Sequence, residues 1–130
     1  MSEDLGKLVL RLGLGGLVLF HGVHKLLTGL DPIKAMLTAH NFSGSIAYGV
    51  YLGELVAPVL VILGLFSRIG GILIAVDMLV AVLLANLARV AVIGPTGGYG
   101  LELEAMYFIA AVAVALLGAG RLTIGAGRWN

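Results

Sequence analysis

The chain opens with an apolar run, LGKLVLRLGLGGLVLFHGVHKLL, at residues 5–27. An α-helix rises about 1.5 Å per residue, so roughly 20 residues cross the ~30 Å hydrocarbon core of a bilayer. Three further apolar runs of comparable length lie at about 47–66, 70–93 and 103–120. None of them alternates apolar and polar residues in the way that a membrane β-strand does. The pattern predicts an all-α integral membrane protein, a bundle of four transmembrane helices.

The composition supports the same class. Of the 130 residues, 60% are hydrophobic and 12% are charged, and the mean hydropathy is +1.09. Soluble domains carry roughly 45–50% apolar and about 25% charged residues. A soluble monomer of this size could not bury such an excess, because much of its surface would still face water. We interpret residues 1–130 as a single membrane domain in contact with the lipid bilayer.

Charge and cysteine content exclude several classes of function. Eight Lys and Arg against seven Asp and Glu give a net charge of +1, so nucleic-acid binding has no electrostatic basis. The absence of cysteine excludes disulfides, thiolate zinc sites and cysteine-ligated iron–sulfur clusters. A redox role would therefore need a quinone, another borrowed cofactor or a partner protein.

The connections between the spans contain recognisable turn and cap signals. Asp31 followed by Pro32 predicts a helix N-cap and first residue, opening a short interfacial helix at about 33–40 in the first outer loop. The stretch 67–71, with two glycines, is predicted as a tight turn between the second and third spans. The glycine-rich stretch 94–100 is predicted as the loop before the fourth span.

Charge also predicts the orientation in the membrane. Glu3 and Asp4, and the lack of a small-residue cleavage site, favour a retained signal anchor over a removable signal peptide. With four spans, both termini share one side with the second connection. That side carries the basic residues Lys7, Arg11, Arg68, Arg121 and Arg128, whereas the other carries Lys25, Lys34 and Arg89. The positive-inside rule then places the N- and C-termini in the cytoplasm.

Small residues recur at helix-packing spacing. Gly49 and Gly53 form a GxxxG pair, and close backbone approach at such pairs drives helix association in lipid. Alanine ladders of the same kind occur at Ala81 and Ala85, and at Ala111, Ala115 and Ala119. These residues predict seams within the bundle or between copies in a homo-oligomer.

Polar residues inside the spans give the candidate site. A charge near the bilayer centre costs ~2.5 kcal/mol or more, so such groups normally face the bundle interior. Counting about 1.5 Å per residue from the cytoplasmic ends places a polar group in the outer half of every span. The predicted ligand-binding residues are His21, Lys25, Tyr51, Glu54, Asn86, Arg89, Glu102 and Glu104. The same count places Asp77 apart, near mid-membrane, as a proton-relay candidate.

Spacing supports shared helix faces. His21 and Lys25 are four residues apart, and Tyr51 and Glu54 are three apart, so each pair is expected on one face. A purely structural interpretation stays open. Charges at span ends can extend to the membrane surface, and a buried Glu54 pair with His21 or Lys25 can serve only to fix helix register.

The chemistry of this cluster suits a quinone head group. Quinone reduction consumes two protons, which a Glu/His pair can supply. His21 would donate to a carbonyl or relay a proton, Lys25 or Arg89 would stabilise a developing anion, and Tyr51 or Tyr99 would stack or donate.

Other ligands and functions fit less well. His21 and His24 lie on one helix, which disfavours a bis-His haem. A metal on His21, Glu54 and Glu102 or Glu104 is chemically possible, but no metal and no covalent cofactor are predicted. A small-molecule or proton-coupled transporter using Asp77 and Glu54 is an alternative, although no inverted repeat or broken helix supports it. A structural or assembly partner without chemistry is the third interpretation.

Several motifs resemble the DoxX family in order and layout. Phe20-His21-Gly22-Val23-His24-Lys25-Leu26 resembles the family's FHGxxKL end of the first span. Gly53 to Pro58 and Leu63 to Arg68 resemble its E-x-x-AP…LGLxxR stretch. Gly97 to Glu104 resembles its GG-x-E segment before the last span, and Gly118 to Arg121 its closing G-x-G-R.

The resemblance implies a four-helix protein of a bacterial or archaeal cytoplasmic (inner) membrane, associated with an oxidoreductase system. The name-giving relatives are subunits of a thiosulfate:quinone oxidoreductase, and others are linked to membrane-anchored oxidative-stress complexes. A partner redox protein or a homo-oligomer is accordingly expected. By motif, His21, Lys25, Glu54 and Glu102 or Glu104 carry over as family residues.

Overall fold

The computed structural model describes residues 1–86, 93, 95 and 97–130. The regular secondary structure of these residues is helical, with an isolated bridge between Ile93 and Tyr99. Arg89 and the side chain of Asn86, both predicted site groups, lie outside the described part of the chain.

We label five helical elements in chain order. Helix α1 is Ser2–Thr28 and α2 is Asp31–Ala39. Helix α3 is Gly44–Leu63, α4 is Ser67–Ala81, extended by a π-helical turn at Val82–Asn86, and α5 is Glu102–Leu117.

Three of these helices are long and apolar enough to cross a membrane. They are α1, α3 and the segment Ser67–Leu84. Together with the family relationship reported below, they make the chain a multi-pass membrane protein. Large apolar side chains face outward, including Phe20, Leu27 and Leu116, which are 75%, 80% and 74% exposed. Such an apolar exterior is what contact with lipid requires.

The first connection agrees with the sequence except for its cap. Helix α2 begins two residues before the predicted start at 33, so that Leu30 is the N-cap and Asp31 lies in the first turn. No side chain caps the helix, so the predicted role of Asp31 as N-cap is wrong. Pro32 still lies in the first turn, where its missing N–H costs nothing.

The predicted turn at 67–71 is also wrong. The chain reverses at Gly64 and Phe66, both with positive φ (74° and 49°), and Ser67 already begins α4. Gly70 and Gly71 are buried helical residues. A Cβ on Gly71 would lie 2.6 Å from the Ala111 carbonyl oxygen and 2.9 Å from the Ala115 nitrogen. The two glycines are therefore packing positions of α4, and the Ala111/Ala115 ladder is its seam with α5.

The core lies where α1, α3, α4 and α5 meet. Its buried apolar side chains include Leu14, Val18, Val61, Ile74 and Val114. One end of this core holds the start of α1 and the carboxyl ends of α3 and α5. We call it the arginine end, for Arg11 and Arg68. The opposite end, near Lys25 and Glu54, contains a cavity, and we call it the cavity end.

Arg11 organises the arginine end. Its side chain is 1% exposed, although the sequence suggests only a surface charge. Nε donates to Val61 O at 2.9 Å and Nη2 to Ile62 O at 3.1 Å, both in the last turn of α3. Nη1 donates at 2.8 Å to both Ala119 O and Leu122 O. Helix carboxyl ends leave backbone acceptors without helical donors. The guanidinium therefore caps α3 at Val61 and Ile62 and fixes the segment after α5.

Arg68 plays the same role for α5. Its Nη1 donates to Ala115 O at 3.0 Å and Leu116 O at 2.7 Å, and Nη2 donates to Leu117 O at 3.4 Å. A cation at the carboxyl end of a helix also interacts favourably with the helix dipole. The segment after α5 packs back onto this end, with Ile124 N donating to Leu63 O at 3.1 Å.

Candidate functional site

A cavity of about 270 Å³ opens at the cavity end of the bundle. Polar side chains from four helices line it: His21 and Lys25 of α1, Glu54 of α3, Asp77 of α4, and Glu104 and Tyr107 of α5. The remaining wall is apolar, with Ile33 and Met36 of α2 on one side. Ligand pockets typically combine mostly apolar walls with a few convergent polar groups, and this cavity has that composition.

Lys25 and Glu54 form an ion pair in the cavity wall. Lys25 Nζ donates to both carboxylate oxygens of Glu54 at 2.7 Å. The Glu54 side chain is 4% exposed and that of Lys25 is 29% exposed. A charge this deeply buried needs a paired counter-ion, which Lys25 supplies while remaining open to the cavity.

A π-helical turn at Leu52–Val56 positions Glu54. Pro58 lies four residues after Glu54, and proline has no N–H to donate to the carbonyl four residues before it. The helix widens there, with Ala57 N–H donating to Leu52 O five residues back. Single π turns of this kind occur frequently at functional sites. Pro58 therefore accounts for the π-helical turn, because it removes one hydrogen bond of the regular α-helix.

Gly22 allows α1 to approach this turn. A Cβ on Gly22 would lie 2.6 Å from the carbonyl carbon of Glu54, and closer still to its oxygen. Because backbone atoms cannot move aside as a flexible side chain can, only glycine fits at this position. The contact brings Lys25, three residues further along α1, within reach of Glu54.

Asp77 belongs to the cavity, and its predicted separation from the cluster is wrong. It lines the cavity together with Glu54 and Lys25. Its side chain packs against α3, because a Cβ on Gly53 would lie 2.6 Å from Asp77 Cβ. Asp77 Oδ2 is buried and has no hydrogen-bond partner among the described residues. This carboxyl therefore lies beside the ion pair with one oxygen buried and unpaired among the described residues.

Two aromatic rings meet at another part of the wall. His21 and Tyr107 pack edge to face, with ring centroids 5.9 Å apart and an interplanar angle of 79°. His21 is at the exposed rim of the cavity. The predicted common face of His21 and Lys25 is confirmed, since both line the cavity.

The two glutamates at the start of α5 separate. Glu104 is half-buried and lines the cavity. Glu102 is exposed and lies outside the cavity, near the Gly98 backbone. The structure thus brings Glu104, and not Glu102, to the other polar residues.

Neither Tyr51 nor Tyr99 lines the cavity. The Tyr51 hydroxyl donates to Lys25 O at 3.5 Å, so Tyr51 contacts the α1 backbone behind the ion pair. Tyr51 and Glu54 both face Lys25, the first at its backbone and the second at its ammonium group. Tyr99 borders an adjoining cleft with Glu104 and Phe108.

Helix α2 covers one side of the cavity and is tied to α3. Lys34 Nζ donates to the Tyr48 hydroxyl at 2.9 Å and lies 4.7 Å from the centroid of that ring. This hydrogen bond raises the pKa of the Lys34 ammonium. Lys34 therefore acts as an exposed link and not as a cavity group.

A family model for DoxX matches residues 6–87. The chain belongs to the DoxX family. The match covers more than half of the chain, including four of the polar cavity residues, His21, Lys25, Glu54 and Asp77. The motifs at 97–104 and 118–121 lie beyond the matched range. Searches of curated proteins and of solved structures gave no match.

In this DoxX-family protein, sequence reasoning missed Tyr107 and the α2 side chains. Tyr107 follows Glu104 by three residues, a spacing that places both on one helix face, so the signal was present in the sequence. The contribution of Ile33 and Met36 depends on how α2 folds back, which no local pattern encodes. Among the described residues, no group of three His, Asp or Glu is arranged to hold a metal ion.

Proposed function

We propose that this DoxX-family protein is a membrane subunit of an oxidoreductase system whose cavity binds the head group of a quinone or a similar small molecule. The observation that carries the proposal is the meeting of polar side chains from four helices in one apolar-walled cavity. A flat, largely apolar molecule with two or more polar atoms is the class of ligand that such a site favours.

The residues fit a quinone head group. The cavity volume of about 270 Å³ lies just below the ~300–1,000 Å³ typical of sites for whole drug-sized ligands, as suits one ring. Asp77 lines the cavity, and its carboxyl would accept from a ligand hydroxyl or, when protonated, donate to a ligand carbonyl.

A quinone, when bound, supplies two-electron, two-proton chemistry. The chain contributes the proton-handling and positioning groups. Asp77 and Glu54 are carboxyl groups that can hold protons beside the ligand, His21 can donate to a ligand oxygen at the rim, and the Lys25 ammonium stabilises negative charge near Glu54. Electrons would reach the site from a partner redox protein, because the chain has no cysteine for a cluster.

The proposal includes the arrangement in the membrane. Helix α5 would be the fourth span and α2 an interfacial helix on the outer surface, with both termini in the cytoplasm of a bacterium or archaeon. Lys7, Arg68, Arg121 and Arg128 at the arginine end support this orientation through the positive-inside rule.

Single-cysteine labelling tests the orientation, since the natural chain has no cysteine. A membrane-impermeant maleimide added to intact cells should label Asn41→Cys, in the loop after α2, and should label Ser2→Cys only after lysis. The reverse pattern would contradict the proposed topology.

Mass spectrometry of the protein purified in mild detergent tests the ligand and the partner together. Stoichiometric quinone and a co-purifying redox protein are expected with the wild type. The quinone should disappear in the double variant His21→Ala/Glu54→Gln and persist in Glu102→Gln, a matched change outside the cavity. A wild-type preparation without quinone or partner, or equal quinone in all variants, would overturn the proposal.

A further inference from the structure

A second cavity of about 200 Å³ lies between α2, α3 and α4. Its walls include Leu37, Ile46, Leu73 and Val76, and Asp77 is the one polar side chain that lines it within the described part of the chain. It is therefore suited to hydrocarbon. We call it the apolar cavity, and the cavity containing Glu54 the polar cavity.

The two cavities adjoin. Ile33, Val50, Asp77, Val80 and Leu84 line both of them. The Asp77 side chain lies at this boundary, with the ion pair of Lys25 and Glu54 on the polar side. A molecule lying across the boundary would have its polar end in one cavity and its apolar end in the other.

Gly49 lies at the wall of the apolar cavity and makes no close helix contact. The GxxxG motif predicts that Gly49 and Gly53 both form a helix-packing seam. Gly53 does so, against Asp77, but a Cβ on Gly49 would meet no atom within 4 Å. Gly49 lines the apolar cavity, so its missing side chain leaves room and makes no helix contact.

We propose that the apolar cavity is a subsite for the hydrocarbon chain of the molecule whose head group occupies the polar cavity. The ligand class is thereby narrowed to amphiphiles with a long apolar chain. This inference rests on the proposed function of the polar cavity. The polar cavity has room for a head group only, and a chain in the adjoining apolar cavity would gain van der Waals contacts with the walls of α2, α3 and α4. Isoprenoid quinones and acyl-chain lipids share this chemistry.

The test compares a benzoquinone without a side chain and the same head group with a decyl chain. Binding to the purified protein is measured by equilibrium dialysis at fixed detergent concentration, for wild type, Gly49→Phe and Gly16→Phe. Gly49 lines the apolar cavity and has φ −61°, which any residue adopts, so a phenylalanine there is expected to occupy part of this cavity. Gly16 is the matched control, a helical glycine that also has no atom within 4 Å of an added Cβ.

Packing of the chain against the apolar wall should make the decyl compound bind wild type and Gly16→Phe roughly tenfold more tightly than the chainless compound. In Gly49→Phe this gain should vanish while binding of the chainless compound is unchanged. Partitioning of the chain into detergent is equal for all variants, so it cancels in the comparison. Val76→Trp, which fills the apolar cavity from α4, gives the same readout if Gly49→Phe does not fold.

Two other outcomes separate this inference from the proposed function. If both filling variants keep the chain-dependent gain, the subsite is overturned while head-group binding stands. If neither quinone binds wild type, the proposed function fails, and co-purified phospholipid decides the subsite. Lipid lost from Gly49→Phe but kept by Gly16→Phe would support an acyl-chain subsite, whereas equal retention would overturn it.

Discussion

At the arginine end, the Arg11 side chain is 1% exposed and donates to four backbone carbonyls. At the cavity end, the Lys25 side chain is 29% exposed and is paired with one carboxylate. Both are basic residues of α1, so the difference comes from what surrounds them. Arg11 meets acceptors left over at the ends of α3 and α5, and its hydrogen bonds are directed at fixed backbone atoms.

At the cavity end the acceptor of the basic side chain is another side chain, whereas at the arginine end the acceptors are backbone carbonyls. Glu54 is held by Lys25, and Asp77 Oδ2 keeps unused hydrogen-bonding capacity. Carboxyl and ammonium groups can exchange protons and hydrogen-bond partners. The guanidinium of an arginine is not deprotonated in proteins. Charge at the arginine end therefore satisfies backbone acceptors and maintains the fold, while charge at the cavity end lines an open cavity.

The largest effect is expected from Arg11→Leu, which leaves four carbonyls without their donor. Hydrogen bonds to charged groups and the cost of unpaired buried acceptors suggest a loss of about 3–5 kcal/mol. Thermal unfolding in detergent, followed by Trp129 fluorescence, measures it. Arg121→Leu, at an exposed arginine, is the control. A near wild-type Tm for Arg11→Leu would contradict the difference between the two ends, because charge at the arginine end would then not maintain the fold.

Gly22→Ala should cost about 1–3 kcal/mol, the usual range for overpacking, because the added Cβ collides with the Glu54 backbone. It should also separate Lys25 from Glu54 and weaken quinone binding. Gly16→Ala, with no atom near its Cβ, should unfold at the wild-type temperature. Equal unfolding temperatures for the two variants would show that the α1–α3 contact is looser than described.

Lys25→Met should cost more than Glu54→Gln. The first leaves a buried carboxyl without its cation, at about 1–2 kcal/mol, below the 3–5 kcal/mol of fully buried pairs because Lys25 is partly exposed. The second keeps an oxygen that accepts from Lys25 and should cost under about 1 kcal/mol. Thermal unfolding of the two variants side by side measures the difference. Equal losses of stability in the two variants would mean that Glu54 does not depend on Lys25 more than Lys25 depends on Glu54.

Lys34→Met should have the smallest effect. Its contacts with Tyr48 are exposed, and exposed polar contacts contribute little to stability. Unfolding temperature and quinone content should both match the wild type. A loss comparable to that of Lys25→Met would show that α2 closure depends on this link.

Much of the fold could be predicted from the sequence because bilayer thickness imposes a length on each apolar run. The first run, predicted at 5–27, is Ser2–Thr28, and the last, predicted at 103–120, ends three residues earlier at Leu117. The error at 67–71 has a physical reason. Glycine pairs mark turns in water-soluble chains, but in lipid they also permit close helix packing, and Gly71 serves that purpose here.

The site could be predicted only in part. His21, Lys25, Glu54 and Glu104 all line one cavity, because polar groups in apolar spans are costly toward lipid, although His21 remains at the exposed rim. The predicted separation of Asp77 from the other polar residues is wrong because a depth count gives only a height along the helix. It does not give the lateral contact of Asp77 with Gly53. The role of Arg11 depends on carbonyls 50 and 108 residues away in sequence, which no local pattern specifies.

The π turn in α3 has a consequence for how this helix is numbered on a helical wheel. An extra residue in one turn rotates everything beyond it by about 100° relative to a regular helix. The segments before Leu52 and after Val56 therefore follow two wheels of different phase. A scan of lipid accessibility along α3 would show a break in the 3.6-residue period at this turn. Deletion of one residue there would restore the period, but it would turn one half of the helix toward different neighbours.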